Sequence, residues 1–336
     1  MDESIHPHAL WLLLLGGGFS LATLLALLQK HLAGKPLLPY EPRRRVPWGA
    51  GATMIAFYLV IMHLLAPLMD TAPEMTSDLD PTEFVWQGWL NIGLILMLCG
   101  ATMGWLMVVC QATRQDLGFP VSTRQLVDDV RIGTIGWLAS LAPVFLLLQV
   151  AQWVLPTETQ HPLLEQLTQN PTPMIFITAA GAAVLAAPIF EELVFRLLLQ
   201  GALERYEDQW LGYTATGREN SSPPAPISGD LLGDQPTTMS RPRSAAEFTP
   251  PGILPPADPP GNGPLPDLPY GWAPILASGL LFGLAHFGHG ADPVPLFLLG
   301  IVLGYLYQRT HRLVPCITAH MLFNSFSLAV AWLQLR

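Results

Sequence analysis

Apolar windows near or above the roughly 20 residues that cross a bilayer recur along the whole chain, and this recurrence constrains the fold more than any other feature. They lie near 9–32, 47–69, 85–111, 132–155, 173–203, 271–289, 293–309 and 313–335. Of the 336 residues, 51% are hydrophobic and only 12% charged, whereas a soluble domain carries about a quarter charged. The expectation is an all-α polytopic membrane protein with about eight transmembrane helices.

Short cytoplasmic loops collect Lys and Arg, so the connections give an orientation. Lys30, Lys35, Arg43, Arg44 and Arg45 fall in the first connection, and Arg114, Arg124 and Arg131 in the third. The fifth holds Arg205, Arg218, Arg241 and Arg243, and the seventh holds Arg309 and Arg312. The second and fourth, "DTAPEMTSDLDPTEF" and "PTETQHPLLEQLTQNPTP", contain no Lys or Arg. This pattern fits both termini outside and the odd-numbered loops cytoplasmic, in a plasma (inner) membrane with lipid as a partner. "MDESIHPHALWLLLL" has an acidic flank and no small-residue cleavage pattern, so it is read as a first span rather than a removed signal peptide.

The net charge of −9 resides mainly in solvent-facing segments, and no basic groove with interleaved aromatics is present, so no nucleic-acid partner is expected. Cys99, Cys110 and Cys316 all lie within spans with no paired spacing and read as small apolar side chains. Residues 206–269 hold 14 of the 33 prolines and few large apolar residues. They cannot bury enough surface to offset their ordering entropy, so a disordered cytoplasmic loop is expected there. The resulting division is residues 1–172, about four spans without a motif, and 173–335, a core interrupted by 206–269.

Within that core "APIFEELVFRLLLQ" (187–200) places Glu191, Glu192 and Arg196 in an otherwise lipid-like run. A charge at mid-membrane costs roughly 2.5–3.5 kcal/mol on insertion scales, while each large apolar residue returns about 0.3–0.6. Glu192 and Arg196 are spaced i,i+4 and can form an ion pair on one helix face, with Glu191 turned about 100° off that face. A carboxylate in a low-dielectric site has a raised proton affinity, as a general base or metal ligand needs. The other polar groups of the last spans are Phe282 with His286 in "LLFGLAHFGHG" and His320 with Asn324 in "PCITAHMLFNSF", each pair again i,i+4. His289, between Gly288 and Gly290, reads as a loop residue. Each group also has a plainer reading, as polar contacts that only hold helices together.

These residues resemble the CPBP intramembrane proteases, which include the type II CAAX prenyl endopeptidases and the Abi proteins. The family pattern is EExxxR, FxxxH and HxxxN on separate membrane helices, matched here by Glu191-Glu192 with Arg196, Phe282 with His286, and His320 with Asn324. The likeness covers roughly residues 173–335, with the 85 residues between Arg196 and Phe282 read as containing an insertion. It implies that Glu191 and His286 activate a water, that His320 and Asn324 stabilise the oxyanion, and that Glu192, Arg196 and Phe282 support them. It leaves open whether Zn²⁺ takes part: Glu191, His286 and His320 are chemically adequate ligands. HExxH is absent.

The expected function is therefore an intramembrane (metallo)endopeptidase acting on a peptide or membrane-protein substrate. The alternative is a non-catalytic scaffold or bacteriocin-immunity-type protein that uses the same polar cluster for helix packing. At about 1.5 Å per residue, Glu191, His320 and His286 lie about 18, 10 and 22 Å from the cytoplasmic ends of their spans, so tilt, or kinks at Pro188 and Pro274, are needed to bring them level.

Overall fold

A computed structural model describes residues 6–41, 46–65, 80–154, 162–210, 269–287 and 290–335. His289, Arg43–Arg45, and all but the ends of the proline-rich stretch lie outside the described residues. Among those described, the regular structure is all helical. Helix starts follow local chemistry: α1 (Pro7–Leu32) and α3 (Pro81–Val108) each begin with proline, which needs no N–H at a first turn, and Asp80 Oδ2 caps α3 by accepting from the Thr82 N–H at 3.1 Å. Between them lies α2 (Ala50–Leu65). The amphipathic α5 (Pro162–Gln169) follows α4 (Thr123–Val154).

The motif helix, α6 (Pro173–Glu207, 35 residues), is not uniformly α. Gly181–Ala186 and Glu192–Gln200 are wound in the wider π register, separated by α-helical Ala187–Glu191. Such stretches are rare and concentrate at functional sites. A 3₁₀ turn (Pro269–Trp272) leads into α7 (Ala273–Leu284), followed by α8 (Pro293–Thr310) and α9 (Leu313–Gln334).

Among the described residues five helices, α1, α3, α4, α6 and α9, are long and apolar enough to cross a membrane, where eight spans are expected along the whole chain. The difference has local causes. The apolar run 271–289 does not stay helical: α7 has 12 residues, a rise of about 18 Å against a hydrocarbon core of about 30 Å, and residues 285–287 form a turn. The last turn of α8 carries Gln308 and Arg309. The described part of α2 has 16 residues.

Helix α4 is the hub, packed on α1, α8 and α9, while α2 and α3 lie against the π-wound parts of α6. The tightest pair is α7 with α8, where backbones meet directly. A Cβ on Gly283 would stand 2.6 Å from the Pro293 carbonyl oxygen, and one on Gly300 would stand 2.9 Å from the Gly279 Cα. Small residues at such crossings let membrane helices approach without a hydrophobic driving force. The core runs through Trp48, Leu197, Phe195, Phe282, Leu303 and Phe323. At the periphery, only 11% of the most apolar window of α1 is buried, against 44% in α9, and Leu14, Phe19 and Leu25 of α1 face outward as lipid-facing residues do.

The odd-numbered connections share one end of the bundle. The Glu41 N–H donates to the Arg309 carbonyl (2.9 Å), Arg205 Nη1 to the Trp48 carbonyl (2.7 Å), and the Leu313 N–H to the Gly118 carbonyl (3.1 Å). Gly118 is at φ +74° against the Leu313 backbone, a position only glycine takes without strain. At the opposite end the His6 N–H donates to Gln334 Oε1 (3.0 Å), so the start of α1 and the end of α9 meet.

Candidate active site

The expected ion pair is formed: Arg196 Nε lies 3.1 Å from Glu192 Oε2, and both side chains are fully buried. Burying an unpaired charge there would be costly, and the guanidinium is held on three sides. Its Nη1 donates to Ser278 Oγ (2.9 Å), whose hydroxyl donates to the Phe195 carbonyl (2.9 Å), and its carbon sits 5.2 Å from the centroid of the Phe282 ring, within range of a cation–π contact.

His320 of α9 enters between the two glutamates. Its Nδ1 is 2.9 Å from Glu192 Oε1, and its Nε2 is 3.7 Å from Glu191 Oε2. The two carboxylates leave the helix in different directions, but an imidazole offers nitrogens on two sides, so one ring meets both. Glu192 carries its charge beside Arg196 and accepts, so Nδ1 carries the donated proton and Nε2 is presented to Glu191. At 3.7 Å that second approach is longer than a hydrogen bond, as is common for catalytic groups before substrate arrives. Glu191 and His320 are both buried.

Phe282 is the hinge between the two imidazoles. Its ring packs edge-on against His320 (centroids 5.6 Å apart) and at a tilt against His286 (5.2 Å). His286 is not part of α7 but lies in the turn after it, with Nδ1 2.9 Å from the Phe282 carbonyl oxygen. A carbonyl can only accept, so Nδ1 bears the proton and Nε2 is the acceptor nitrogen, the tautomer a base requires. Asn324 is one turn beyond His320, and its Nδ2 donates to the Ala183 carbonyl at 2.7 Å.

The structure thus gathers Glu191, Glu192, Arg196, Phe282 and His320, attaches His286 through Phe282, and ties Asn324 to the first π-wound stretch. Among the described residues, no group of three or more His, Cys, Asp and Glu side chains is close enough to hold a metal ion. His320 reaches Glu191 and Glu192, but its Nδ1 and the Glu192 carboxylate are committed to each other and to Arg196. Glu191, His286 and His320 do not form a three-ligand set in this arrangement.

Ser278 was not evident as a participant from the sequence, although it is four residues before Phe282 and so on the same helix face. Two further polar groups surround the site. Gln200 Nε2 donates both to Glu204 Oε1 (2.9 Å) and to the Gly304 carbonyl (2.8 Å), locking α6 to α8. At the end that gathers the odd-numbered connections Arg312 is hydrogen bonded to Asp129 Oδ1 (2.6 Å) and to Glu41, fixing the start of α9. Burial opposes the Arg312 charge, but the Glu41 hydrogen bond and the Asp129 charge hold its pKa above the ordinary value. Cys99 and Cys316 are buried and all three cysteines are unbridged.

Residues 263–326 match the family model described as Type II CAAX prenyl endopeptidase Rce1-like. No curated protein and no solved structure matches the chain. The matched segment contains Phe282, His286, His320 and Asn324, while Glu191, Glu192 and Arg196 precede it in sequence and meet it in space. Over that segment the chain is similar to the type II CAAX prenyl endopeptidases, the group that its three motifs resemble.

Proposed function

We propose that the protein is an intramembrane endopeptidase in which Glu191 is the general base. The observation that carries this reading is the placement of one imidazole, His320, between two buried glutamates, with Arg196 bonded to Glu192. Glu192 and Arg196 orient the ring, and Glu191 across from Nε2 is the carboxylate able to take and return a proton.

In this mechanism Glu191 takes a proton from water as the oxygen attacks the scissile carbonyl carbon, and His286 Nε2 accepts the water's other hydrogen bond. In the doubly protonated form of His320, Nδ1 donates to Glu192 and the Nε2–H is left for the developing oxyanion to accept from, since fixed donors in a dry site stabilise such charge strongly. When the C–N bond breaks, the proton held by Glu191 passes to the leaving amine. Every step uses side chains of the chain itself. The match to the type II CAAX prenyl endopeptidase model supports the reaction class and makes a peptide or membrane-protein substrate the expectation. The odd-numbered connections are assigned to the cytoplasmic side of the plasma membrane.

The test is the full chain in liposomes with a farnesylated C-terminal CAAX peptide and its unprenylated counterpart. Glu191→Gln is expected to abolish cleavage of whichever is accepted while thermal unfolding stays near that of the parent. If cleavage persists in Glu191→Gln, the mechanism is wrong. A parent that cleaves neither peptide, with the substitution altering only stability, supports the scaffold reading instead.

A further inference from the structure

Asn324 donates to one particular carbonyl, and the backbone around that carbonyl explains why. In the π-wound stretch Gly181–Ala186, the Ala187 N–H is bonded to the Ala182 oxygen, five residues back. That N–H is the one an α-helical register would have given to Ala183. In the π register Ala183 should instead receive the N–H of residue 188, but residue 188 is proline and has none. Both main-chain donors are lost to the Ala183 oxygen, one by register and one by chemistry. A carbonyl stranded in this way inside a membrane must find another donor, and Asn324 Nδ2 supplies it at 2.7 Å.

We infer that Asn324 is a positioning residue, deepening the reading proposed above: it caps the carbonyl orphaned by Pro188 and so fixes the π-to-α transition that aims Glu191, three residues beyond the proline, at His320. The role resembles that of Ser278, whose hydroxyl donates to the Phe195 carbonyl in the second π-wound stretch. The single α9 face that carries His320 then does two jobs one turn apart. His320 meets the carboxylate, and Asn324 holds the backbone that delivers it. On this account Asn324 acts through α6, not by contact with the reacting carbonyl.

A double-substitution cycle separates this role from direct oxyanion binding. Asn324→Leu removes the donor at nearly constant volume, and Pro188→Ala returns a backbone N–H to the place where Ala183 lacks one. In the full chain in detergent, Asn324→Leu is expected to lower the unfolding midpoint by on the order of 3 °C in the parent and by less than about 1 °C in the Pro188→Ala background. In liposomes it is expected to lower kcat with KM unchanged, and Pro188→Ala in the same chain is expected to recover most of that loss. Where Asn324→Leu alone does not fold, recovery of folded protein by Pro188→Ala counts as the same support. Equal losses of midpoint in both backgrounds overturn the inference, as does a recovered midpoint with kcat still depressed. The unfolding cycle needs no substrate, so it stands even where no peptide is cleaved and the proteolytic reading itself fails.

Discussion

Two ionic clusters are built from nearly the same parts and do different things. At the end of the bundle that gathers the odd-numbered connections, Asp129 and Glu41 close on Arg312. Deep in the bundle, Glu191 and Glu192 close on Arg196 and His320. The first holds two acids around one guanidinium, Arg312. The second keeps a guanidinium, Arg196, and adds an imidazole, His320, that meets both acids. In the proposed mechanism the added ring, whose nitrogens can donate or accept, turns a clamp into a site for acid–base work.

Substitutions can break this contrast. The largest effect expected is on Glu191: its amide variant should lose about 100- to 10,000-fold in cleavage rate, the range for a general base, with little change in unfolding. Asp129→Ala should do the reverse, costing about 1.5–3 kcal/mol of stability because Arg312 loses one of its two carboxylate partners, with specific activity per folded molecule preserved. Thermal unfolding and active-fraction assays on the two variants check both; an Asp129→Ala chain that is stable but inactive would erase the distinction. Ser278→Ala should cost about 1–3 kcal/mol, the penalty for stranding a partner of a buried hydrogen bond, seen as a lowered unfolding midpoint. The smallest effect expected is that of a chelator: EDTA should leave cleavage unchanged, and a loss reversed by Zn²⁺ would bring a metal into the deep cluster.

Much of this arrangement was legible in the residues, and the parts that were not share a physical character. Apolar transfer adds along a sequence, so α1, α3, α4, α6 and α9 announce themselves. An i,i+4 spacing is also local, and Glu192 with Arg196 follows from it. The break after Leu284 is tertiary in origin, because residues 285–287 turn where the α7 and α8 backbones come together at Gly283 and Pro293. The π register of α6 is also non-local, since it depends on Asn324 and Ser278, 141 and 83 residues away from the carbonyls they satisfy. Asp129 and Arg312, 183 residues apart, carry no sequence sign of their pairing. The contacts of Phe282 with both His286 and His320 are likewise tertiary, since the two histidines are on different segments and no local spacing joins them.

The shortness of α7 has a consequence for reagent supply. Peptide hydrolysis consumes one water per bond, and hydrocarbon holds almost none. A 12-residue helix falls short of the bilayer core, and lipid answers such a mismatch by thinning locally. Asp292 and the turn at residues 285–287 follow α7, close in sequence to His286. The shortest of the motif helices thus leaves water the least hydrocarbon to cross on its side of the bundle.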